Sequence, residues 1–184
     1  MPETSILIVS GTNRPGSNAL RVSKLLETSY KKAKVAVELF SLESLPPETF
    51  APTSYATKPP ALVAIQQRIL DAAGLHIVVP EYNGSFPGVL KYFIDMLKFP
   101  ESFEKKPVAF LGEAAGLWGG LRAVEQLQMI FAYRNAHLFP TRIFIPGVNG
   151  NLDADGKLTD ADLATRVEEQ CAGFAKFVKS LGSK

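Results

Sequence analysis

A chain of 184 residues with 46% hydrophobic and 21% charged side chains is of single-domain size and buries about 70% of its unfolded surface on folding. A net charge of +2 excludes a nucleic-acid surface, the five lysines at 31, 32, 34, 105 and 106 reading as solvated element ends. A mean hydropathy of +0.07, with no apolar stretch near the roughly 20 residues of a membrane span, excludes a spanning helix, and the single Cys171 excludes an internal disulfide.

The first strand is expected over 5–10. The short apolar run Ile6 to Val9 suits a strand covered on both faces of a parallel sheet. The same run follows Glu3 and has no cationic flank, so no secretory signal is expected and the cytoplasm is the expected compartment. The strand breaks into Gly11-Thr-Asn-Arg-Pro-Gly-Ser-Asn18, just where a helix is expected over 18–33. Glycines let the backbone approach a ligand closely, and the free N–H groups at a helix start favour an anion. Thr12, Ser17 and Asn18 offer neutral hydrogen bonds, and Arg14 a charged fork. Neither G-x-G-x-x-G nor G-x-x-x-x-G-K-[ST] is spelled here, which argues against a fixed dinucleotide and a Walker site. A hydroxyl-rich loop with little cationic charge suits a monophosphate ester. The alternative is that Ser17 only caps the helix and the glycines only turn the chain.

A second strand is expected over 34–40. The segment 41–60, with prolines at 46, 47, 52, 59 and 60, is too long for a plain connector. Either it covers a pocket or a neighbouring subunit, or it is a surface loop without fixed form. A helix over 61–73 leads to a third strand over 75–79, again continuously apolar, which ends in Pro80-Glu-Tyr-Asn-Gly-Ser-Phe-Pro-Gly88. Two prolines stiffen this loop, so that its backbone N–H and C=O groups can face the edge of a planar ring, with Tyr82 and Phe86 at its surface. The next helix is expected over 87–97, with Pro87 at its first position.

A fourth strand over 107–112 runs into Gly112-Glu-Ala-Ala-Gly-Leu-Trp-Gly-Gly120, and a helix over 121–136 follows. Four glycines in this loop imply close approach or flexing, unless they are only a helix entry; Gly112 and Gly116 are the candidate contacts. The helices over 87–97 and 121–136 carry apolar residues most of the way round: Val89, Leu90, Tyr92, Phe93, Ile94, Met96 and Leu97 on one, Leu127, Met129, Ile130, Phe131 and Tyr133 on the other. They need burial on two sides, which a partner subunit supplies most simply and a thick monomer core would also supply. A last strand is expected over 138–145 and a closing helix over 160–181, with Val167, Cys171, Phe174 and Val178 on its inner face.

Between these two elements, Asn151, Asp153, Asp155 and Gly156 match a calcium-loop spacing. A strand precedes them, however, and Asp162 stands where a bidentate Glu belongs, so Thr159 and Asp162 read instead as a helix start and no metal is expected. His76 lies in a strand and His137 at a helix end, each structural and neither catalytic, and no Ser/His/Asp set is assembled.

In a doubly wound sheet of order 2-1-3-4-5, strands one, three and four are neighbours and ligands sit beyond their carboxyl ends. A phosphate on the first loop and a ring between the other two is the arrangement of a bound flavin mononucleotide (FMN). The first loop, the segment Pro80 to Lys91 and Gly119-Gly-Leu-Arg-Ala123 together resemble the NADPH-dependent FMN reductase family, over nearly the whole chain. The resemblance implies a flavodoxin-like α/β three-layer sandwich, a five-stranded parallel sheet of order 2-1-3-4-5 with helices on both faces, and one domain over 1–184. It implies that Thr12, Arg14, Ser17 and Asn18 hold the FMN phosphate and that Pro80, Glu81, Tyr82, Asn83, Gly84 and Ser85 hold the ring, in a homodimer or homotetramer. The expected activity is transfer of a hydride from NADPH or NADH through FMN to a small acceptor such as a quinone, an azo compound, chromate or free flavin, with ping-pong kinetics and no catalytic side chain. An electron-carrying flavodoxin, for which a strongly acidic face is expected, and a non-catalytic redox sensor are the alternatives. One departure stands out: where the family often carries a polar Ser-Ala-Ser-Pro-like stretch, this chain has Gly112-Glu-Ala-Ala115, and Glu113 either points to solvent or adds a negative charge near the pocket mouth.

Overall fold

The computed structural model describes residues 5–182, so Glu3, used in the signal-sequence argument, lies outside it. In chain order the elements are β1 Ser5–Ser10, α1 Asn18–Lys32, β2 Ala36–Ser41, α2 Pro60–Asp71, β3 Gly74–Pro80, α3 Gly88–Met96, β4 Pro107–Glu113, α4 Leu121–Tyr133, β5 His137–Leu138, β6 Ile143–Ile145, α5 Val148–Asn151 and α6 Ala161–Gly182. The strands pair in parallel in the order β2-β1-β3-β4-β5, the expected winding, and β6 also pairs with β4.

β1, β3 and β4 are buried along nearly their whole length because helices cover both faces of the sheet. Leu7, Val9, Leu75, Ile77, Val79 and Phe110 pack under α2, α3 and α4. Ile6, Ile8, Val78, Ala109 and Leu111 pack under α1 and α6, where Val167, Cys171, Phe174 and Val178 form the expected inner face. In this second layer His76 Nδ1 lies 2.8 Å from the Tyr30 hydroxyl. Burial pushes the imidazole down to about 3, with Gln170 opposing weakly, and pushes the Cys171 thiol up to about 12, with Tyr30 opposing. Both groups are neutral and structural.

Four local expectations need correction. The last strand is not continuous over 138–145: Pro140 has no N–H to give, the ladder stops at Leu138 and resumes at Ile143, and the Gln170 side-chain amide bonds both the Phe110 and Thr141 carbonyls across the break at 2.9 Å. Pro87 is the N-cap of α3 in extended conformation, not its first helical residue. Residues 41–60 are neither loose nor a plain loop. They fold into three short 3-10 turns that bury Leu42, Leu45, Thr49 and Ser54, and Phe50 and Tyr55 pack on Tyr92 of α3, whose hydroxyl bonds the Thr49 carbonyl at 3.0 Å. The cap of α6 is Asp160, which accepts from the Leu163 N–H at 3.0 Å, and not Thr159. In the preceding turn the carboxylate of Asp153 accepts from the Lys157 N–H, closing a small hairpin bridged at Leu152 and Leu158.

Candidate functional site

Three loops leave the carboxyl ends of the central strands and are tied to one another. The first continues β1, and the Gly11 N–H bonds the Val78 carbonyl of β3 at 2.9 Å. Thr12 is buried, and its hydroxyl lies 3.1 Å from the Tyr82 hydroxyl, joining the first loop to the second. Ser17 caps α1 by accepting from the Leu20 N–H at 3.2 Å, so the cap reading of that residue holds alongside any ligand role. The Asn18 side chain donates to Asn149 at 2.7 Å and accepts from Arg21 at 3.1 Å, and the backbone N–H groups of Asn18 and Ala19, in the first turn of α1, have no intrahelical acceptor. Arg14 is exposed and its guanidinium has no protein partner.

In the second loop, Tyr82 and Ser85 exchange backbone hydrogen bonds of 2.8 and 3.1 Å, with Asn83 at φ 52° and Gly84 at φ 76° between them. Two consecutive left-handed residues make this a type I′ turn, the one that Asn-Gly favours. The turn is then clamped from α4: Ser85 Oγ donates to Gln126 Oε1 at 2.6 Å and Gln126 Nε2 donates to the Gly84 carbonyl at 3.1 Å. The Glu81 N–H bonds the Glu113 carbonyl at 3.0 Å, joining the second loop to β4, and Pro80 is buried as the last residue of β3.

The third loop is anchored at its ends and open at its tip. Gly112 lies inside β4, and a Cβ there would come within 2.8 Å of the Gly119 carbonyl oxygen, so the loop's own backbone crosses over it. Gly116 faces open space, and its carbonyl receives the Gly119 and Gly147 N–H groups. Leu117 and Trp118 stand 80% and 60% exposed beside it. Glu113, for which solvent exposure or a charge at the pocket mouth was expected, is instead 5% exposed, and burial raises its carboxyl to about 7.

Two supporting groups were not legible in the sequence. Gln126 and Asn149 lie forty and more residues from the loops they hold, and no local pattern signals such a pair. Two cavities, of about 530 and 430 Å³, lie away from the rim on the outer flank of α4 and between α3 and α4, and Gln126 lines both. Among the described residues no cluster of three or more His, Cys, Asp or Glu side chains converges, and no helix is long and apolar enough to cross a membrane.

A family model described as NADPH-dependent FMN reductase matches residues 4–149. An NAD(P)H-dependent FMN reductase of Pseudomonas aeruginosa is 29% identical over 184 residues, covering 97% of each chain. A quinone reductase of Escherichia coli is 32% identical over 125 residues, 66% of each chain. A solved flavoenzyme NAD(P)H:(acceptor) oxidoreductase of Paracoccus denitrificans shares the fold with a TM-score of 0.81 at 22% identity, over 96% of this chain and 98% of that one.

Proposed function

The chain belongs to the NADPH-dependent FMN reductase family, and from that premise we propose that it is an FMN-dependent NAD(P)H oxidoreductase with a small-molecule acceptor of the quinone, azo, chromate or free-flavin type. When bound, FMN supplies the redox chemistry, taking a hydride from reduced nicotinamide and passing it to the acceptor. The chain acts as one FMN-binding domain, in the cytoplasm, where reduced nicotinamide is found. The observation that carries the reading is the joining of three strand-end loops into one rim through the Thr12–Tyr82 and Glu81–Glu113 hydrogen bonds.

The residues at this rim fit FMN. Backbone N–H groups at the start of α1, the Thr12 and Ser17 hydroxyls, Asn18 and the unengaged Arg14 form a donor set for a phosphate monoester. The glycines at 16, 84 and 116 have nothing within 4 Å of where a Cβ would stand, so the backbone is open to a ligand at all three loops. Residues 80–85 present a rigid backbone edge to the ring, and Leu117 and Trp118 give an apolar surface on which nicotinamide and acceptor can take turns. The protein's part is to bind, orient and exclude water, and no side chain is needed to move a proton.

The functional unit is a homodimer or homotetramer built on α3 and α4. Supporting this, Phe99, Met129 and Tyr133 are 61%, 66% and 77% exposed around the cavity between these helices, with Lys91, Asp95 and Arg134 among its lining residues. The test is the visible spectrum of the purified protein with and without FMN, followed by addition of NADPH or NADH and then a quinone. Bound flavin that bleaches with nicotinamide and recovers with quinone is the expected result. Absence of flavin binding ends the reading, and flavin that never bleaches replaces the enzyme by a carrier or sensor.

A further inference from the structure

The end of β4 holds a group that the donor set above does not use. Glu113 is 5% exposed, and its carboxyl makes neither a hydrogen bond nor an ion pair; only its backbone is engaged, by Glu81 and by the strand ladder. Alternation along β4 sets it with Ala109 and Leu111 on the face covered by α1 and α6, level with Pro80 of β3 and Ile145 of β6. That is the carboxyl edge of the sheet, next to the two loops that Glu81 and Thr12 tie together.

The unpaired Glu113 carboxyl keeps contact with solvent, whereas two other polar atoms along the same edge are sealed off. Ser10 Oγ, at the end of β1, and Glu81 Oε2, just past β3, are both buried without a partner. Buried polar groups in folded proteins nearly always find partners. Unmet capacity at the ends of β1 and β3, beside an unpaired carboxyl at the end of β4 that still opens to solvent, marks where a polar ligand completes the structure.

The surroundings of Glu113 are free of compensating charge. β6 sets Ile145 beside it in the ladder, and Val148 of α5 with Leu163 and Val167 of α6 belong to the same apolar layer. Arg21 of α1 is engaged by Asn18 and the Asp153 carbonyl. Arg14 lies exposed on the first loop, Arg122 lines the outer cavity of α4, and Glu81 is the acidic neighbour. Burial alone acts on the Glu113 acid, and it places the acid's titration near neutrality.

We propose that Glu113 is an FMN-recognition residue: as a neutral carboxylic acid it donates a hydrogen bond to an oxygen of the mononucleotide, and as a carboxylate it repels the anionic ligand. The proposal rests on the FMN reading. It makes capture of the cofactor pH-dependent through Glu113, the one ionisable side chain between Gly112 and Gly120.

The test is the dissociation constant of FMN, from quenching of flavin fluorescence at constant ionic strength, between pH 6 and pH 8. Wild type is compared with Glu113→Gln, which keeps a donor and cannot ionise, and with Glu113→Ala, which removes the donor. The wild-type constant should rise about tenfold over that range relative to Glu113→Gln, because one added proton accompanies binding. Glu113→Ala should bind more weakly than Glu113→Gln at every pH. Parallel pH profiles for wild type and Glu113→Gln overturn the proposal while leaving the FMN reading intact. Failure of all three proteins to bind FMN at any pH, with native circular dichroism, overturns the FMN reading and the proposal with it.

Discussion

At the scale of single residues, the exposed Arg14 and the buried Glu113 of the rim differ in what they do to the stability of the protein without ligand. The Arg14 guanidinium has no protein partner, and only its backbone N–H is engaged, by Thr12 Oγ1 at 3.3 Å, so Arg14→Ala should leave the unfolding midpoint unchanged. A charge-assisted hydrogen bond to a phosphate contributes about 1.5–3 kcal/mol, so the same change should weaken FMN binding by roughly ten- to a hundredfold, read by fluorescence titration. Glu113 works the other way. Its carboxyl titrates at about 7 in the folded chain against an ordinary value of 4.5. Below that ordinary value both states are protonated and stability is unaffected. As pH rises the unfolded chain releases a proton that the folded chain retains, so stability falls until the folded acid also ionises, after which the loss is constant at roughly 3 kcal/mol. Glu113→Gln should therefore match wild type in urea unfolding near pH 4 and exceed it by up to about 3 kcal/mol at pH 8. Equal stabilities at pH 8 would mean that the carboxylate finds a partner or solvent after all. A residue that weakens the empty fold in this way fits selection for a ligand rather than for stability.

At the scale of elements, the third loop is fixed by two glycines that nothing else can replace. Gly119 and Gly120 have φ of 57° and 88°, and a Cβ on either would stand within 2.9 Å of backbone atoms of Ile145, Pro146 or Glu113. Gly120→Ala should lower stability by at least about 2 kcal/mol through strain and clash together, measurable by thermal unfolding. A loss under 0.5 kcal/mol would show that the loop relaxes freely. Such positions explain what could be read from sequence and what could not. Strands β1, β3 and β4 were legible because each is a continuous apolar run ending in glycine, proline or hydroxyl residues, and that punctuation also marked the three loops. Of the two readings of the segment 41–60, the loop without fixed form fails because its prolines look like punctuation, whereas Pro47 and Pro52 start 3-10 turns that pack on distant Tyr92. The break at Pro140 is bridged by Gln170, thirty residues on, and the I′ turn at Asn83-Gly84 is held by Gln126 from another helix. Removing that clamp with Gln126→Ala should speed hydrogen exchange over 82–86 several-fold without unfolding the sheet.

At the scale of the whole molecule, the exposed flank of α3 and α4 is joined through Gln126 to the loop at 82–85. The sheet buries Leu90, Phe93, Leu127 and Phe131 from the inner sides of these helices, which leaves Met129 and Tyr133 largely exposed, with the Arg134 guanidinium 5.2 Å from the centre of the Tyr133 ring. A contiguous apolar face of this kind on a small domain is normally met by another protein surface, and a self-complementary patch crossed by a two-fold axis is the simplest solution. Lys91 and Asp95 on α3, with Arg134 at the end of α4, put both signs of charge around the apolar centre, as a self-pairing interface requires. Gln126 both lines the cavities of this flank and holds the turn at 82–85, so a second copy seated there would press on the support of the ring loop. Met129→Asp with Tyr133→Glu, placing two buried charges of one sign in each half of such an interface, should convert a dimer to a monomer in sedimentation equilibrium at micromolar concentration. Because the loop would then lose its backing, FMN affinity should fall as well, by a factor of a few, although neither residue touches the rim. A wild-type protein that sediments as a monomer at the same concentration would remove the interface, and a monomeric variant with unaltered FMN affinity would separate assembly from cofactor capture.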